Sequence, residues 1–223
     1  MGAGDGDGDG GRAGSGRSDE LFSLIEPLRE QLDASHSARE QGLTACRRTI
    51  RACGQAIRAV HRQQPDLVAS FTEEARVALR AAQDALRPHP AVAFAGFLHD
   101  AEKEYAEAVL TGCLVDGGPL PTPEAVGVQP AAWLCGIAEA ASELRRHLLD
   151  RLRAGELQRA EDLLRAMEDV YDLLVTIDYP DALTSGLRRN TDALRAVLER
   201  SRADLTTTLI QARLQAALEE RSP

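Results

Sequence analysis

Aromatic residues and lysine are scarce in this chain of 223 residues. Phe, Trp and Tyr together make up 4% of the sequence, which argues against a β-sandwich or β-barrel because strands favour aromatic and β-branched side chains. The alternation of apolar and polar residues that is typical of strands does not occur. The hydrophobic fraction of 43% consists largely of alanine and leucine at helical spacing. The sequence therefore predicts an all-α protein.

Long apolar runs and paired cysteines are also missing. No stretch of about 18 uninterrupted apolar residues is present, so a membrane-spanning helix is not expected. The N-terminus does not begin with the charged and then apolar segment of a secretory signal. None of the four cysteines (Cys46, Cys53, Cys113 and Cys135) forms a C-x-x-C pair, and we interpret them as reduced core residues rather than zinc ligands. We expect a cytoplasmic protein without a membrane partner.

Positive charge comes almost entirely from arginine, because Lys103 is the only lysine among 26 basic residues. We interpret this preference as the mark of a GC-rich genome. The formal net charge is −9, so the overall charge does not indicate a nucleic-acid partner. The basic residues are nevertheless concentrated locally, and six arginines against one acid lie from His36 to Arg62.

Four of these arginines recur at steps of four, seven and four residues, which places them along one side of a helix. They are Arg47, Arg51, Arg58 and Arg62. A basic stripe on an acidic protein is typical of a phosphate-binding track. A solvated helix face, or a set of partners for acids on neighbouring helices, explains the same pattern, and the sequence alone leaves both interpretations open.

Composition and periodicity divide the chain into a tail and one domain. Residues 1–18 are rich in glycine and aspartate and are predicted to be disordered, whereas residues 19–223 are predicted to form a helical domain. Prolines, caps and apolar periodicity place its helices at 18–62, 65–86, 91–111, 131–153, 156–176 and from 180 nearly to the end, with a short turn at 124–126. The architecture is therefore expected to contain six or seven helices.

The last predicted helix carries a narrow row of leucines. Their spacing of four and seven residues is typical of a helix that packs against partner helices. They are Leu183, Leu187, Leu194, Leu198, Leu205 and Leu209. The row is longer than the remaining helices of one protomer require, so we expect part of it, including Leu205, to contact another subunit.

Acidic residues cluster on the third predicted helix. Asp100, Glu104 and Glu107 lie within about 60° of one another around the helix axis. Carboxylates at this spacing repel one another, and a divalent cation would relieve that repulsion. A second pair, Glu139 and Glu143, lies one turn apart on the helix at 131–153. Two such groups can form an oxygen site for Mg²⁺ or Mn²⁺.

The helical wheel, however, does not place Glu139 in such a site. The apolar stripe of its helix lies nearly opposite Glu139, so the pair with Glu143 is expected to face solvent. Another helix would be able to approach closely at Gly136 and Ala140, because these two residues are small. From the residues alone, solvated carboxylates are the favoured interpretation, and a metal site is the alternative.

Other catalytic patterns are missing from the sequence. A di-iron carboxylate bundle requires Glu-x-x-His twice, whereas Arg146 stands at the histidine position after Glu143. No Walker A loop, G-x-S-x-G or H-E-x-x-H motif occurs. The histidines are isolated in the sequence, and we interpret them as surface or packing residues: His36, His61, His89 and His147.

Several segments of the chain together resemble the translin/Trax family. The segment Glu104-Tyr-Ala-Glu-Ala is similar to the E-Y-V-E-A helix of Trax, and residues 136–144 are similar to its G-V-A-D-L-T-G-E-L segment. Residues 56–62 resemble the end of the first long helix of Trax, and residues 123–126 fit a loop of the family. The motifs are short, but their order and spacing match from about residue 20 to residue 215.

The resemblance implies a translin-like protomer of seven helices that assembles into a hollow, usually octameric shell. It also implies binding of single-stranded RNA and DNA and, for Trax-type subunits, Mg²⁺-dependent ribonuclease activity. The catalytic and metal-binding acids of Trax correspond to Glu104, Glu107, Glu139 and Glu143. Glu139 stands where the family has an aspartate. An acidic surface that faces the shell interior would explain why this pair avoids the core of the protomer.

The leading hypothesis is therefore a Mg²⁺-dependent endoribonuclease, with Mn²⁺ as an alternative ion, that cleaves single-stranded RNA inside a homo-oligomer. The expected nucleic-acid contacts are Arg47, Arg48, Arg51, Arg58, Arg87 and His89. Three alternatives remain open. They are a non-catalytic shell that binds single strands as translin does, an all-α nucleotide pyrophosphohydrolase, and a helical interaction protein without a ligand.

Overall fold

The computed structural model describes residues 13–221, which contain nine helices and no strand. The helices are α1 (Ala13–His61), α2 (Pro65–Leu86), α3 (Pro90–Ala93), α4 (Phe97–Asp116), α5 (Pro123–Val126), α6 (Pro130–Arg153), α7 (Leu157–Leu174), α8 (Asp181–Thr184) and α9 (Leu187–Glu219). Six of them are long and three are single turns. The all-α prediction is confirmed.

Four predicted boundaries differ from the structure by several residues, and one of them is the end of α4, which lies at Asp116 rather than at 111. Helix α1 begins at Ala13, so the last residues of the predicted disordered tail are helical, while residues 1–12 lie outside the described part. The predicted helix at 91–111 is two helices, because Gly96 precedes α4 with φ +97°. The predicted last helix is divided into α8 and α9 at Ser185 and Gly186, where φ is +50° and +94°. A right-handed helix does not continue through such residues.

Helix α6 is the centre of the fold and packs against α4, α7 and α9. Most of its buried residues are small, and they lie on several sides of the helix. They are Ala132, Cys135, Gly136, Ile137, Ala138, Ala140, Ala141, Leu144, His147 and Leu148. A Cβ atom on Gly136 would lie 2.7 Å from the Ala106 Cβ and 2.9 Å from the Glu107 backbone nitrogen. Glycine at this position therefore allows the backbones of α4 and α6 to meet.

The leucine row of α9 belongs to the core of its own chain. Leu187, Leu194, Leu198 and Leu205 are each at most 4% exposed, and α9 packs against α6 and α7. The prediction that Leu205 contacts another subunit is therefore wrong, because α6 and α7 already cover that part of the helix. Leu183 is 66% exposed and lies on α8.

Exposed apolar residues occur instead on the first part of α1. Leu21, Ile25, Leu28 and Leu32 follow one another at steps of four, three and four residues, and each is at least 49% exposed. We call these four residues the α1 stripe. Their spacing is the one that packs one helix against another. The end of α9 exposes a further row of apolar residues: Ile210, Leu214 and Leu218.

The prediction that the cysteines are core residues is confirmed for three of the four. All four cysteines are free thiols, and Cys46, Cys53 and Cys135 are buried. No helix between residues 13 and 221 combines the length and the apolar content that crossing a bilayer requires.

Candidate functional site

Three of the four predicted acids meet between α4 and α6. Glu104, Glu107 and Glu139 each contribute one carboxylate oxygen to a group in which all three atoms lie within 4.8 Å of one another. Glu107 is buried, whereas Glu104 and Glu139 reach the surface with 29% of their side chains. We call these three residues the acid cluster. Its oxygen ligands and spacing are suited to a hard divalent cation.

The expectation from the wheel that Glu139 faces solvent is therefore wrong. The close approach of α4 at Gly136 brings the glutamates of α4 next to Glu139. From the other side, the Asn190 side-chain amide of α9 donates a hydrogen bond to Glu139 Oε1 over 3.2 Å. A wheel that assumes one buried face fails for α6, because this helix has neighbours on several sides.

Lys103 supplies a positive charge at the acid cluster. Its Nζ donates a hydrogen bond to Glu139 Oε1 over 2.8 Å and lies 3.6 Å from Glu104 Oε1. Burial disfavours the charged ammonium, but the hydrogen bond to Glu139 and the charges of Glu139 and Glu104 outweigh it and raise the pKa of Lys103. The ammonium therefore stays charged at neutral pH.

The acid cluster holds more negative charge than its surroundings stabilise. Burial, followed by the charges of Glu104 and Glu139, raises the pKa of Glu107 to about 9. Burial also raises the pKa of Glu104, although Lys103 opposes this shift. A carboxyl group of this kind binds a proton at neutral pH unless another cation takes its place.

This arrangement predicts that Glu107→Gln stabilises the protein most at alkaline pH. The pKa of Glu107 is about 9 in the folded state against an ordinary value of 4.5, so only the folded state keeps the proton between these values. The free energy of unfolding therefore falls as the pH rises through this range, and a neutral glutamine removes that loss. Thermal melts in EDTA should show a larger gain in Tm near pH 8 than near pH 5. A gain in Tm that does not change with pH would contradict the raised pKa of Glu107.

The fourth predicted acid, Glu143, is held next to the acid cluster by two histidines. Glu143 Oε2 lies 2.7 Å from His61 Nε2, and His61 Nδ1 lies 3.0 Å from His147 Nε2. The hydrogen bond from His61 lowers the pKa of Glu143 in spite of its partial burial, so this carboxylate is ionised at neutral pH. Burial, together with His61, lowers the pKa of His147. The interpretation of His61 and His147 as surface or packing residues missed these hydrogen bonds, which connect both of them to Glu143.

The predicted basic residues fall into two groups. Arg47, Arg51 and Arg58 are exposed on α1, and none of them forms an ion pair with another residue between 13 and 221. At 100° per residue, Arg47 and Arg58 lie within about 60° of His61 around the axis of α1. The basic stripe thus runs along α1 towards the histidine that holds Glu143.

The other three residues that were predicted to contact nucleic acid already have partners within the chain. Arg48 Nε pairs with Glu74 of α2 over 3.0 Å. Arg87 pairs with Asp84, and His89 Nδ1 lies 3.1 Å from Ser35 Oγ. A role in ligand binding stays a prediction for these residues.

Sequence reasoning missed three residues that contact the predicted acids, Lys103, Asn190 and His61, and a fourth, His147, that contacts His61. A signal existed for two of them. Lys103 stands among the acids as the only lysine of the chain, and His61 lies within the segment that resembles Trax. Asn190 and His147 carried no local signal, because their contacts join residues that are 51 and 86 positions apart.

Three solved structures match this chain over most of its length. AfC3PO, in its structure with duplex RNA, is 30% identical in sequence to this chain. The match covers 86% of this chain and 98% of the AfC3PO chain, with a TM-score of 0.77. A second crystal structure of AfC3PO is also 30% identical over 86% of this chain and 99% of its own, with a TM-score of 0.76. Apo-NeC3PO shares the fold at 18% identity, over 82% of this chain and 96% of its own, with a TM-score of 0.74.

The sequence also has a relative of similar length. An uncharacterised protein of Methanocaldococcus jannaschii is 26% identical over 202 residues, which are 88% of this chain and 86% of the relative. No family model matches the sequence.

Proposed function

Because the chain belongs to the translin/C3PO family, we propose that it is a metal-dependent endoribonuclease that binds and cleaves single-stranded RNA. The observation that carries the proposal is the acid cluster, with Glu143 beside it, at the positions that the Trax resemblance assigns to catalysis. The complex of AfC3PO with duplex RNA supports RNA as the partner. The resemblance to translin and Trax favours single strands, including single-stranded DNA as a further ligand.

The residues present fit Mg²⁺, with Mn²⁺ as the alternative ion. Glu104, Glu107 and Glu139 offer only oxygen atoms, which hard cations prefer. The charges of the acid cluster also act on two buried thiols, but burial and those charges raise the pKa of Cys53 to about 12 and that of Cys135 to about 11. A protonated thiol does not compete for a metal ion.

The residues of the chain have distinct roles in this proposal. A bound Mg²⁺ would supply a water molecule of lowered pKa and would neutralise charge at the phosphorus. Glu104, Glu107 and Glu139 would hold the ion, and Glu139 is itself oriented by Asn190. Glu143 is ionised and fixed by His61, so it is placed to accept a hydrogen bond from a water molecule and orient it.

A cleavage assay separates this function from its alternatives. A labelled single-stranded RNA should be cut in Mg²⁺ and remain intact in EDTA. Binding without cleavage in Mg²⁺ would favour a non-catalytic shell. Release of pyrophosphate from a free nucleotide, with RNA left intact, would favour a nucleotide pyrophosphohydrolase.

The basic stripe is proposed to guide the RNA backbone. Arg47→Glu combined with Arg51→Glu should weaken binding to RNA of any sequence and reduce the slope of log affinity against log salt by roughly 1.4, because each phosphate contact on a single strand releases about 0.7 counterions. Filter binding at several salt concentrations measures both quantities. The matched control reverses Arg195 and Arg200, which are exposed on α9. Equal slopes for both double variants would identify the stripe as a solvated face.

We also propose that the chain forms a homo-oligomer, as an octameric shell. The α1 stripe and the apolar end of α9 are exposed in a single chain, and exposed apolar rows of this kind mark interaction surfaces. A cytoplasmic location stays a prediction.

A further inference from the structure

The only lysine of the chain lies at the acid cluster. All 25 other basic residues are arginine, yet the position that contacts Glu139 and approaches Glu104 carries an ammonium group. A GC-rich genome explains arginine at the other positions. It does not explain why this one position departs from them.

The two cations differ in shape. A guanidinium group is planar, carries five donors and tends to bind a carboxylate through two parallel hydrogen bonds. An ammonium group is compact and acts as a point charge. Lys103 makes its hydrogen bond to one oxygen of Glu139, which leaves oxygens of all three glutamates available to a metal ion.

The charges around this site can be counted. With a metal ion bound, the three carboxylates of the acid cluster are ionised, and the ionised Glu143 beside them adds a fourth negative charge. The Lys103 ammonium reduces this to a net charge of −3, which one divalent ion brings to −1 and a second ion would bring to +1. Without Lys103 the net charge would be −4, which two divalent ions balance.

We propose that Lys103 is the fixed second cation of this metal site, so that each chain binds one divalent ion and the ammonium neutralises charge where a second ion would otherwise bind. This inference rests on the proposed function, since it takes the acid cluster as a metal site. Lys103 acts as a positioning and charge-compensating residue, through its hydrogen bond to Glu139.

Mn²⁺ binding to the full-length protein tests the proposal without an activity assay. Free Mn²⁺ is measured by electron paramagnetic resonance during a titration. The wild type should bind one ion per chain. Lys103→Met should bind the first ion at least about tenfold more tightly, because a nearby positive charge is removed, and should accept a second ion. Lys103→Arg, which keeps the charge, should accept no second ion, but it should bind the first ion more weakly than the wild type because a guanidinium takes up two carboxylate oxygens.

Arg153→Met is the matched control. Arg153 is an exposed cation on α6, about 21 Å along the helix from Glu139 by the helical rise. Its removal changes the net charge of the protein equally but should leave the affinity and the number of ions unchanged. An equal effect of Arg153→Met and Lys103→Met would overturn the proposal.

A single lysine also allows a site-specific signal. Reductive methylation with ¹³C-formaldehyde keeps the charge and labels Lys103 as the only side-chain amine. One equivalent of Mn²⁺ should broaden its resonance beyond detection, while Mg²⁺ should only shift it. An unaffected resonance would overturn the proposal.

The possible failures are distinguishable. Two ions per wild-type chain, or Lys103→Met identical to the wild type, would overturn the role of Lys103 and leave the proposed ribonuclease intact. No binding of Mn²⁺ to the wild type would overturn both.

Discussion

Glu104→Gln is expected to abolish metal-dependent RNA cleavage while RNA binding and folding persist. The change replaces one of three clustered carboxylates by a neutral amide. Loss of residues that merely support metal ligands costs about 10–100-fold, so loss of a ligand should cost more than about 100-fold. The thermal stability should not fall, because the change relieves repulsion within the acid cluster. Single-turnover cleavage, RNA binding and thermal melts measure the three properties.

Asp100→Asn is the matched control for this variant. Asp100 lies one turn before Glu104 on α4, is exposed, and is not part of the acid cluster. The sequence alone grouped it with Glu104 and Glu107, whereas the structure separates it from them. Cleavage at the wild-type rate is expected for Asp100→Asn, and cleavage at that rate by Glu104→Gln would refute the assignment of the acids.

Leu28→Glu is expected to break the proposed oligomer into smaller species without unfolding the chain. Leu28 lies in the centre of the α1 stripe and is 55% exposed in the single chain, so the chain itself does not need it for packing. A charge on this surface would oppose contact with an apolar partner. A symmetric assembly repeats the effect at every copy of the contact. Analytical ultracentrifugation measures the assembly, and circular dichroism measures the helices.

Leu205→Glu provides the contrast. Leu205 is 4% exposed and lies in the core of its own chain. Removing a packed leucine costs about 2–5 kcal/mol, and a buried charge adds to this cost, so the variant should lose stability before any specific change in assembly. Sedimentation of the wild type as a monomer at micromolar concentration would contradict the proposed role of the α1 stripe.

Helix periodicity and proline positions were sufficient to predict most of the architecture. Helix α2 runs from Pro65 to Leu86, as predicted, because a proline is favourable in the first turn of a helix. The breaks before α4 and α9 were missed. A single glycine within an apolar pattern is compatible with a helix, and the positive φ values at Gly96, Ser185 and Gly186 are visible only in the folded chain.

The candidate site could be predicted only in part, for a similar reason. Glu104 and Glu107 were placed together by the geometry of one helix, whereas Glu139 joins them through the contact of two helices at Gly136. The hydrogen bond between His61 and Glu143 joins residues 82 positions apart. Helical periodicity describes a helix and its own face, and it contains no information about which other helix will cover that face.

The chemical ends of the cleavage products test the central claim most directly. If the acid cluster holds a metal ion that activates water, cleavage of single-stranded RNA in Mg²⁺ should produce 5′-phosphate and 3′-hydroxyl ends. Water attacks the phosphorus, the bond from phosphorus to O3′ breaks, and the 2′-hydroxyl takes no part. Mass spectrometry of the fragments identifies these ends. Products that carry a 2′,3′-cyclic phosphate, or cleavage that continues in EDTA, would contradict the account.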